Sequence, residues 1–236
     1  MSVNTPNIEP IAVGIPTIDV DMRPMMTRPK NIAIVALGLS APAFIQNMMQ
    51  SQYMKNPYDE VWSLNRGMLP FRHDKLFVMD DLRWLEECKD KVYADTLKKH
   101  DRPIITSTPY PEWPTSVPYP LHEVLEHFHD DILCSNTVSY ALAYAMFIGV
   151  EQVHLYGCDF IYPHGSEAEK GGMAVAFLLG MCKAAGIKYA MPPTSTMLYS
   201  NTAKIVNGEL QRPHYGYHRK EELEKFRASK AKKESK

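Results

Sequence analysis

The sequence predicts an α/β fold: a Rossmann-like, largely parallel open sheet of about six strands with helices on both faces. Short apolar runs alternate with longer helical patterns along most of the chain, as they do in βαβ units. The runs are mostly apolar at successive positions, which is typical of parallel strands covered on both faces. Turn-forming or polar residues end each run, so every strand has a defined boundary.

The chain of 236 residues divides into three predicted parts around a single domain. Residues 1–29 are rich in Pro and Met and lack a period, which predicts an extended N-terminal arm. Residues 30–200 hold the alternating strands and helices of the α/β domain. Residues 201–236 form a C-terminal segment with a basic helical tail. The Met-rich end of the arm suggests a homo-oligomer.

Composition predicts a soluble, cytoplasmic protein. The net charge is -1, from 26 basic and 27 acidic residues, which gives no global sign of a nucleic-acid partner. Only the basic stretch after Arg219 leaves such a partner open. No apolar run approaches about 18 residues, so no membrane span is expected. Reduced thiols are predicted because no CxxC pair occurs among the four cysteines, Cys88, Cys134, Cys158 and Cys182.

The apolar runs give the order of the predicted elements. Ser40 can cap a helix after the first strand, with Pro42 in its first turn. Asp80 and Asp81 open a second helix, and small and aromatic residues in 136–149 predict a buried one. The proline-dense stretch 109–124 cannot be a regular helix or a central strand, and it suggests a lid or an interface. The predicted strands are Asn31–Gly38, Tyr58–Gly67, Leu76–Met79, Arg102–Tyr110, Val150–Gly157 and Ile187–Pro193.

Polar residues and glycines follow the predicted strands, and this pattern locates the candidate site. In open parallel sheets, ligands bind outside the carboxyl ends of the strands, where loops and helix N-termini meet. The residues just past strand ends should therefore share one edge of the sheet: Ser40, Asn65, Asp80, Asp81, Ser107, Gly157 and Asp159.

These residue types allow more than one role. The first turn has neither the GxGxxG pattern nor a Walker A loop, so Ser40 either helps to bind an anion at a helix start or only caps it. Asn65 could bind a base or hold a loop. Asp80 and Asp81 could hold Mg²⁺ against a phosphate or only match the helix dipole. Asn136 or Thr137 can cap the buried helix.

Residues 135–162 resemble a segment of bacterial sialyltransferases and of related DUF115-type and 6-hydroxymethylpterin diphosphokinase-like proteins. In that segment a buried helix of small residues leads into a strand that ends in G-x-D-F. Thr137 stands at the helix opening here, and the match continues through Gly149, Val153, Leu155, Gly157, Asp159 and Phe160. The similarity extends over about Asn31 to Leu198.

The resemblance implies a protein that binds a nucleotide or nucleotide sugar, most plausibly a glycosyltransferase-like transferase. It places Glu169 near the position of the family's histidine base, with His164 five residues earlier. Either could deprotonate the acceptor, with Asp159 orienting the loop or the acceptor. The first turn lacks the family's paired glycines and its asparagine. By position, the nucleotide would be lined by Ser40, Asn65, Asn136, Thr137 and Gly157.

Two alternatives stay open on the sequence. An ATP-dependent pyrophosphokinase-like enzyme would need Mg²⁺, and therefore carboxylates that converge. That reading requires Asp80, Asp81 and Asp159 to share an ion. A non-catalytic nucleotide-binding or interaction module that has lost the family's catalytic base is the other alternative.

Overall fold

The computed structural model describes residues 28–51, 57–129, 134–161, 165–198, 204–206, 209–211, 223–228 and 230. Nearly all of the predicted N-terminal arm and much of the C-terminal segment lie outside these ranges, as does His164. In the described part of the chain, no helix is both long and apolar enough to cross a membrane.

Seven parallel strands form one open sheet, in the order β5-β4-β3-β2-β1-β6-β7. The predicted α/β class and parallel sheet are confirmed, and the predicted count of about six is one strand too few. The strands are β1 (Asn31–Val35), β2 (Glu60–Leu64), β3 (Lys75–Val78), β4 (Ile104–Thr106), β5 (Ser116–Pro118), β6 (Gln152–Tyr156) and β7 (Lys188–Ala190).

The missed strand is β5, which lies within the proline-dense stretch. It pairs in parallel with β4, with Ile104 opposite Ser116 and Thr106 opposite Pro118. Proline is tolerated here because β5 is an edge strand, so its outer side needs no backbone donor. The sequence analysis was therefore correct to exclude a central strand from this stretch. It overlooked an edge strand, which the same prolines allow.

Six helices are described between residues 28 and 198, together with a 3₁₀ turn and a π-helical turn that matter for the site. A 3₁₀ turn covers Asn65–Met68 directly after β2, and a π-helical turn covers Leu85–Lys89. Residues 204–206 and 209–211 form an antiparallel pair that the sequence reading did not anticipate, and residues 223–228 are helical. The helices are α1 (Pro42–Ser51), α2 (Leu82–Trp84), α3 (Lys91–Lys98), α4 (Leu121–His127), α5 (Thr137–Phe147) and α6 (Gly165–Ala184).

The sequence pattern suggested one continuous helix after β3, but the structure divides this segment into α2, the π-helical turn and α3. Asp81 caps α2 by accepting a hydrogen bond from the Trp84 amide at 2.9 Å. The π-helical turn then ends when the Asp90 amide donates to the Leu85 carbonyl at 2.7 Å. Asp90 in turn caps α3 through the Tyr93 amide, also at 2.9 Å. Two acidic caps within ten residues thus divide the segment.

Helices cover both faces of the sheet, as predicted. On one face, Ile32, Ile34 and Trp62 pack in a single core with the buried residues of α5 and α6. The opposite face packs against α1 near β1, and against α2, the π-helical turn and α3 near β3. α5 is buried along most of its length, which explains why it carries no polar face.

The chain changes direction in the sheet between β1 and β6. From β1 it proceeds outward through β2, β3 and β4 to β5, and then returns to place β6 on the other side of β1. Helices α1 and α6, which follow β1 and β6, consequently lie on opposite faces of the sheet. Sheets of this kind bind ligands in a crevice at the carboxyl ends of the strands, beside the point where the strand order reverses.

Candidate functional site

A cleft of about 560 Å³ lies at this crevice. Its walls are the turns that follow β1, β2, β3 and β6, the start of α5, and the segment from the π-helical turn to α3. Seven residues were predicted to share this edge of the sheet. Four of them line the cleft: Asn65, Asp80, Gly157 and Asp159. A further cavity, of about 530 Å³, lies at the opposite edge of the sheet between Lys30, Gly149 and Lys188, away from those residues.

Asp159 is buried and bound to the loops around it. Its carboxylate accepts hydrogen bonds from the Ser40 amide at 2.7 Å, from the Ser40 hydroxyl at 2.9 Å and from the Thr196 amide at 3.4 Å. The Ser40 hydroxyl also accepts from the Gly157 amide at 2.9 Å. The loops after β1, β6 and β7 are therefore fixed to one carboxylate, and the contacts of Asp159 and Ser40 are those of positioning groups.

Gly157 and Gly38 allow two of these loops to pack backbone against backbone. Gly157 has φ +67°, and a Cβ there would lie 2.2 Å from the Ala36 carbonyl oxygen. A Cβ on Gly38 would lie 2.4 Å from the Gly157 carbonyl oxygen and 2.6 Å from Asp159 Oδ2. The close approach that Gly157 permits is thus to the β1 turn, a protein neighbour that the sequence reading did not consider.

Asn65, which lines the cleft, contacts Thr137 at the start of α5. Asn65 has φ +50°, a left-handed conformation that asparagine tolerates better than most residues. Its side-chain amide donates to the Thr137 hydroxyl at 3.3 Å. Its Oδ1 atom is buried and has no hydrogen-bond partner among the described residues. Asn65 therefore presents an acceptor that a ligand donor could satisfy.

Asn136 faces a different neighbour. It caps α5 in a reciprocal capping box with Ser139, accepting from the Ser139 amide at 3.0 Å. Its Nδ2 donates to the Gly171 carbonyl of α6 at 3.4 Å. Asn136 therefore links the starts of α5 and α6, whereas the next residue, Thr137, contacts Asn65.

Charged side chains occupy the other end of the cleft, near β2 and β3. Arg66, Lys89, Asp80 and Tyr93 all line it. The Arg66 guanidinium lies 4.5 Å from the centre of the Tyr93 ring and forms a salt bridge with Asp90. The Tyr93 amide hydrogen bond, followed by the Arg66 hydrogen bond, holds the pKa of Asp90 below its usual value. Burial raises the pKa of Tyr93, with a smaller opposing effect of Arg66.

The two aspartates considered for Mg²⁺ have different roles. Asp80 is exposed in the cleft, while Asp81 uses its carboxylate to cap α2. Asp159 is committed to Ser40 and Thr196. Within the described ranges, no three His, Cys, Asp or Glu side chains come close enough to hold a metal ion together. The convergence of carboxylates required by the pyrophosphokinase-like alternative is therefore not found among these residues.

Glu169 is exposed on the second turn of α6, at the same end of the fold as the cleft. Two residues further along, Gly171 packs against the ring of Phe160, and a Cβ at that glycine would lie 2.7 Å from the ring. Phe160 itself lines the cleft. Glu169 is therefore placed on a helix that is anchored at the edge of the cleft.

Several residues of this site were missed by sequence reasoning. Arg66 immediately follows Asn65, and its position next to a strand end was the one available signal. Lys89 lies within the helix predicted after Asp81, and Tyr93 follows that segment, so neither residue stood at a strand end. Thr196 belongs to a hydroxyl-rich turn after the last strand, but nothing in the pattern paired it with Asp159.

The fold and the cleft define a Rossmann-like α/β protein whose main crevice lies at the switch point of a parallel sheet. No protein-family model and no curated protein matches the chain. Among solved structures, it is similar to the sialyltransferase CstII from Campylobacter jejuni in complex with the substrate analogue CMP-3FNeuAc. That match has 15% identity and a TM-score of 0.44, and covers 81% of this chain and 98% of the other. A complex of CstII with cytidine-5'-monophosphate matches with 16% identity, a TM-score of 0.40 and coverages of 81% and 98%.

Proposed function

We propose that the cleft binds a nucleotide or nucleotide sugar and that the protein is a glycosyltransferase-like group-transfer enzyme. The observation that carries the proposal is Asn65, which lines the cleft at the switch point and donates to Thr137 through its amide nitrogen. Its buried Oδ1 atom has no hydrogen-bond partner among the described residues. A buried acceptor without a donor lowers stability by about 1–3 kcal/mol, and a ligand amino or hydroxyl group would remove that penalty.

Two groups of residues form the nucleotide site in this proposal. Asn65 and Thr137 contact the nucleotide directly. Ser40, Gly157 and Asp159 hold the surrounding loops at fixed positions, so that the cleft is formed before the ligand arrives. Pre-formed sites avoid the cost of ordering loops on binding.

Glu169 is the proposed general base. Its carboxylate would take the proton of an acceptor hydroxyl as that oxygen bonds to the donor's anomeric carbon. The bond between that carbon and the nucleotide's phosphate oxygen breaks in the same step, and the nucleotide leaves with the bonding electron pair. His164, five residues earlier in the sequence, is the second candidate for this proton transfer, and it lies outside the described residues.

A thermal-shift screen of nucleotides and nucleotide sugars, with and without Mg²⁺, tests the binding proposal. A ligand at about 100 times its Kd adds roughly 2.7 kcal/mol to the free energy of unfolding. We expect Asn65→Ala to weaken binding about fivefold to tenfold, as for the loss of a buried hydrogen bond. The proposal fails if the wild-type protein responds to none of these compounds.

Turnover of a ligand found in that screen tests the assignment of Glu169. Glu169→Gln should lower the transfer rate by about 10²- to 10⁴-fold and leave the nucleotide Kd unchanged. Glu126→Gln, at an exposed position on α4, is the matched control. Full activity in both variants would direct attention to His164, and binding without turnover in the wild-type protein would support the non-catalytic module.

A further inference from the structure

The charged end of the cleft is organised around Asp90. One oxygen of its carboxylate caps α3 through the Tyr93 amide, and the other binds the Arg66 guanidinium. Arg66 thereby lies over the Tyr93 ring, 4.5 Å from its centre. A single acidic residue therefore fixes both a cation and a phenol at the cleft wall.

Tyr93 carries a hydroxyl group that the surrounding protein does not use. The residue is 6% exposed, yet its oxygen has no hydrogen-bond partner in the described part of the chain. Burial raises its pKa, so the hydroxyl remains protonated and able to donate at neutral pH. Phenylalanine would fill the same space without the cost of an unpaired buried hydroxyl, so the hydroxyl calls for an acceptor other than the described residues.

Lys89 adds a second positive charge to the same wall. It is the last residue of the π-helical turn, which inserts an extra residue before Asp90. Turns of this kind occur frequently at functional sites. Lys89 and Arg66 both line the cleft from neighbouring elements. The Lys89 ammonium lies 5.4 Å from the centre of the exposed Trp84 ring.

We propose that Arg66, Lys89 and Tyr93 form a subsite for a phosphate group of the bound ligand. The inference rests on the proposed function and specifies which end of the cleft takes the phosphate. Arginine offers paired donors that match phosphate oxygens, lysine adds charge, and the phenol supplies one further donor. Because Arg66 directly follows Asn65, a nucleotide held by Asn65 would have its phosphate within reach of this wall.

Titration calorimetry with each common nucleoside 5'-monophosphate and its matching nucleoside tests the subsite. The wild-type protein should bind the monophosphate more tightly than the nucleoside. Arg66→Gln should reduce that preference by about tenfold to hundredfold, and Tyr93→Phe by severalfold, because hydrogen bonds to charged groups are strong. Nucleoside affinity should stay the same in both variants.

The chain offers a matched control pair outside the cleft. The Arg83 guanidinium lies 5.8 Å from the centre of the Tyr110 ring and forms a salt bridge with Glu112 at 3.0 Å. Arg83→Gln and Tyr110→Phe should leave the phosphate preference unchanged. Unfolding curves for all four variants would separate a loss of binding from a loss of folding, and Arg66→Lys keeps the charge if Arg66→Gln unfolds.

The two proposals can fail separately. If nucleotides bind but Arg66→Gln and Tyr93→Phe keep the full phosphate preference, the subsite is wrong and the proposed function stands. An equal loss of nucleoside and nucleotide binding also overturns the subsite. If no nucleoside or nucleotide binds, the proposed function fails, and pyrophosphate becomes the probe. Pyrophosphate binding that Arg66→Gln abolishes would then support the subsite alone, and absence of binding would overturn it.

Discussion

Asp159 and Ser40, separated by 119 positions in the sequence, are joined by two hydrogen bonds of 2.7 and 2.9 Å. Both residues are buried, with exposed fractions of 4% and 1%. The pair fastens the loop after β6 to the turn after β1, on either side of the switch point. The geometry of the cleft therefore depends on a contact between two loops that are distant in the sequence.

Asp159→Asn should lower the free energy of unfolding by about 2–3 kcal/mol, because an amide nitrogen would face donors now bound to a carboxylate. Chemical denaturation measures this change. Asp101→Asn is the control, since Asp101 is exposed and its nearest cation, on Arg102, is 3.9 Å away. Equal stabilities for the two variants would contradict a structural role for Asp159.

Gly157→Ala should destabilise the protein more than Gly186→Ala. Both glycines have positive φ, +67° and +79°, so alanine strains the backbone at either position by about 1 kcal/mol. At Gly186 the added methyl meets nothing within 4 Å, whereas at Gly157 it meets the Ala36 carbonyl oxygen. We expect about 3 kcal/mol or more for Gly157→Ala, measured by urea denaturation. A similar cost at both positions would show that the loops can separate freely.

Stability should fall as the pH drops below the unfolded histidine pKa of 6.5. His73 is buried and shares a 2.8 Å hydrogen bond with His100 through their Nε2 atoms. Desolvation is the largest cause that lowers the pKa of His73, and the nearby charges of His100 and Arg102 add to it. The Phe71 carbonyl and Asp74 act in the opposite direction but do not outweigh it. The contribution of neutral His73 to the free energy of unfolding is therefore fully present above pH 6.5. It is lost as the pH falls toward the lower pKa that His73 has in the folded protein.

Unfolding measured between about pH 7.5 and about pH 5.5 checks this prediction, with a slope of up to about 1.4 kcal/mol per pH unit for each such group. His73→Gln should flatten the slope, while the exposed control His122→Gln should not. Some slope should remain because burial also lowers the pKa of His154. A slope unchanged by His73→Gln would disprove the assignment.

Asp80→Asn distinguishes two ways of neutralising the ligand's phosphate. If Arg66 and Lys89 bind it, removal of the nearby Asp80 charge should tighten nucleotide binding, and Mg²⁺ should have little effect. If Asp80 holds Mg²⁺ against the phosphate, the same variant should weaken binding and abolish any dependence on Mg²⁺. Calorimetry with and without Mg²⁺ shows directly whether Asp80→Asn raises or lowers the nucleotide affinity.

The fold class was predictable because the hydrophobic pattern of each strand and helix is a local signal. Each long apolar run became a strand, and α5, with its all-round apolar surface, became the buried helix. β5 escaped detection because three residues between prolines carry no readable period. The π-helical turn was not predicted, because it depends on the hydrogen bond from the Asp90 amide to the Leu85 carbonyl. No rule of residue spacing indicates that bond.

The site was only partly predictable, for a related reason. Of the polar residues and glycines predicted to share one edge of the sheet, Asn65, Asp80, Gly157 and Asp159 line one cleft in the structure. Asn65 also contacts Thr137, a pairing that the sequence did not predict. The partners of Asp159 could not be inferred, since they lie 119 and 37 positions away in the sequence. Tyr93 resembled any aromatic residue on the apolar side of a helix, and only its unpaired hydroxyl distinguishes it.

The outer strands of the sheet have a consequence for how copies of this chain meet. β5 and β7 are only three residues long; β5 ends at Pro118, and Pro192 and Pro193 closely follow β7. Short edges that carry proline discourage one molecule from adding its strands to another, which protects a newly folded chain from aggregation.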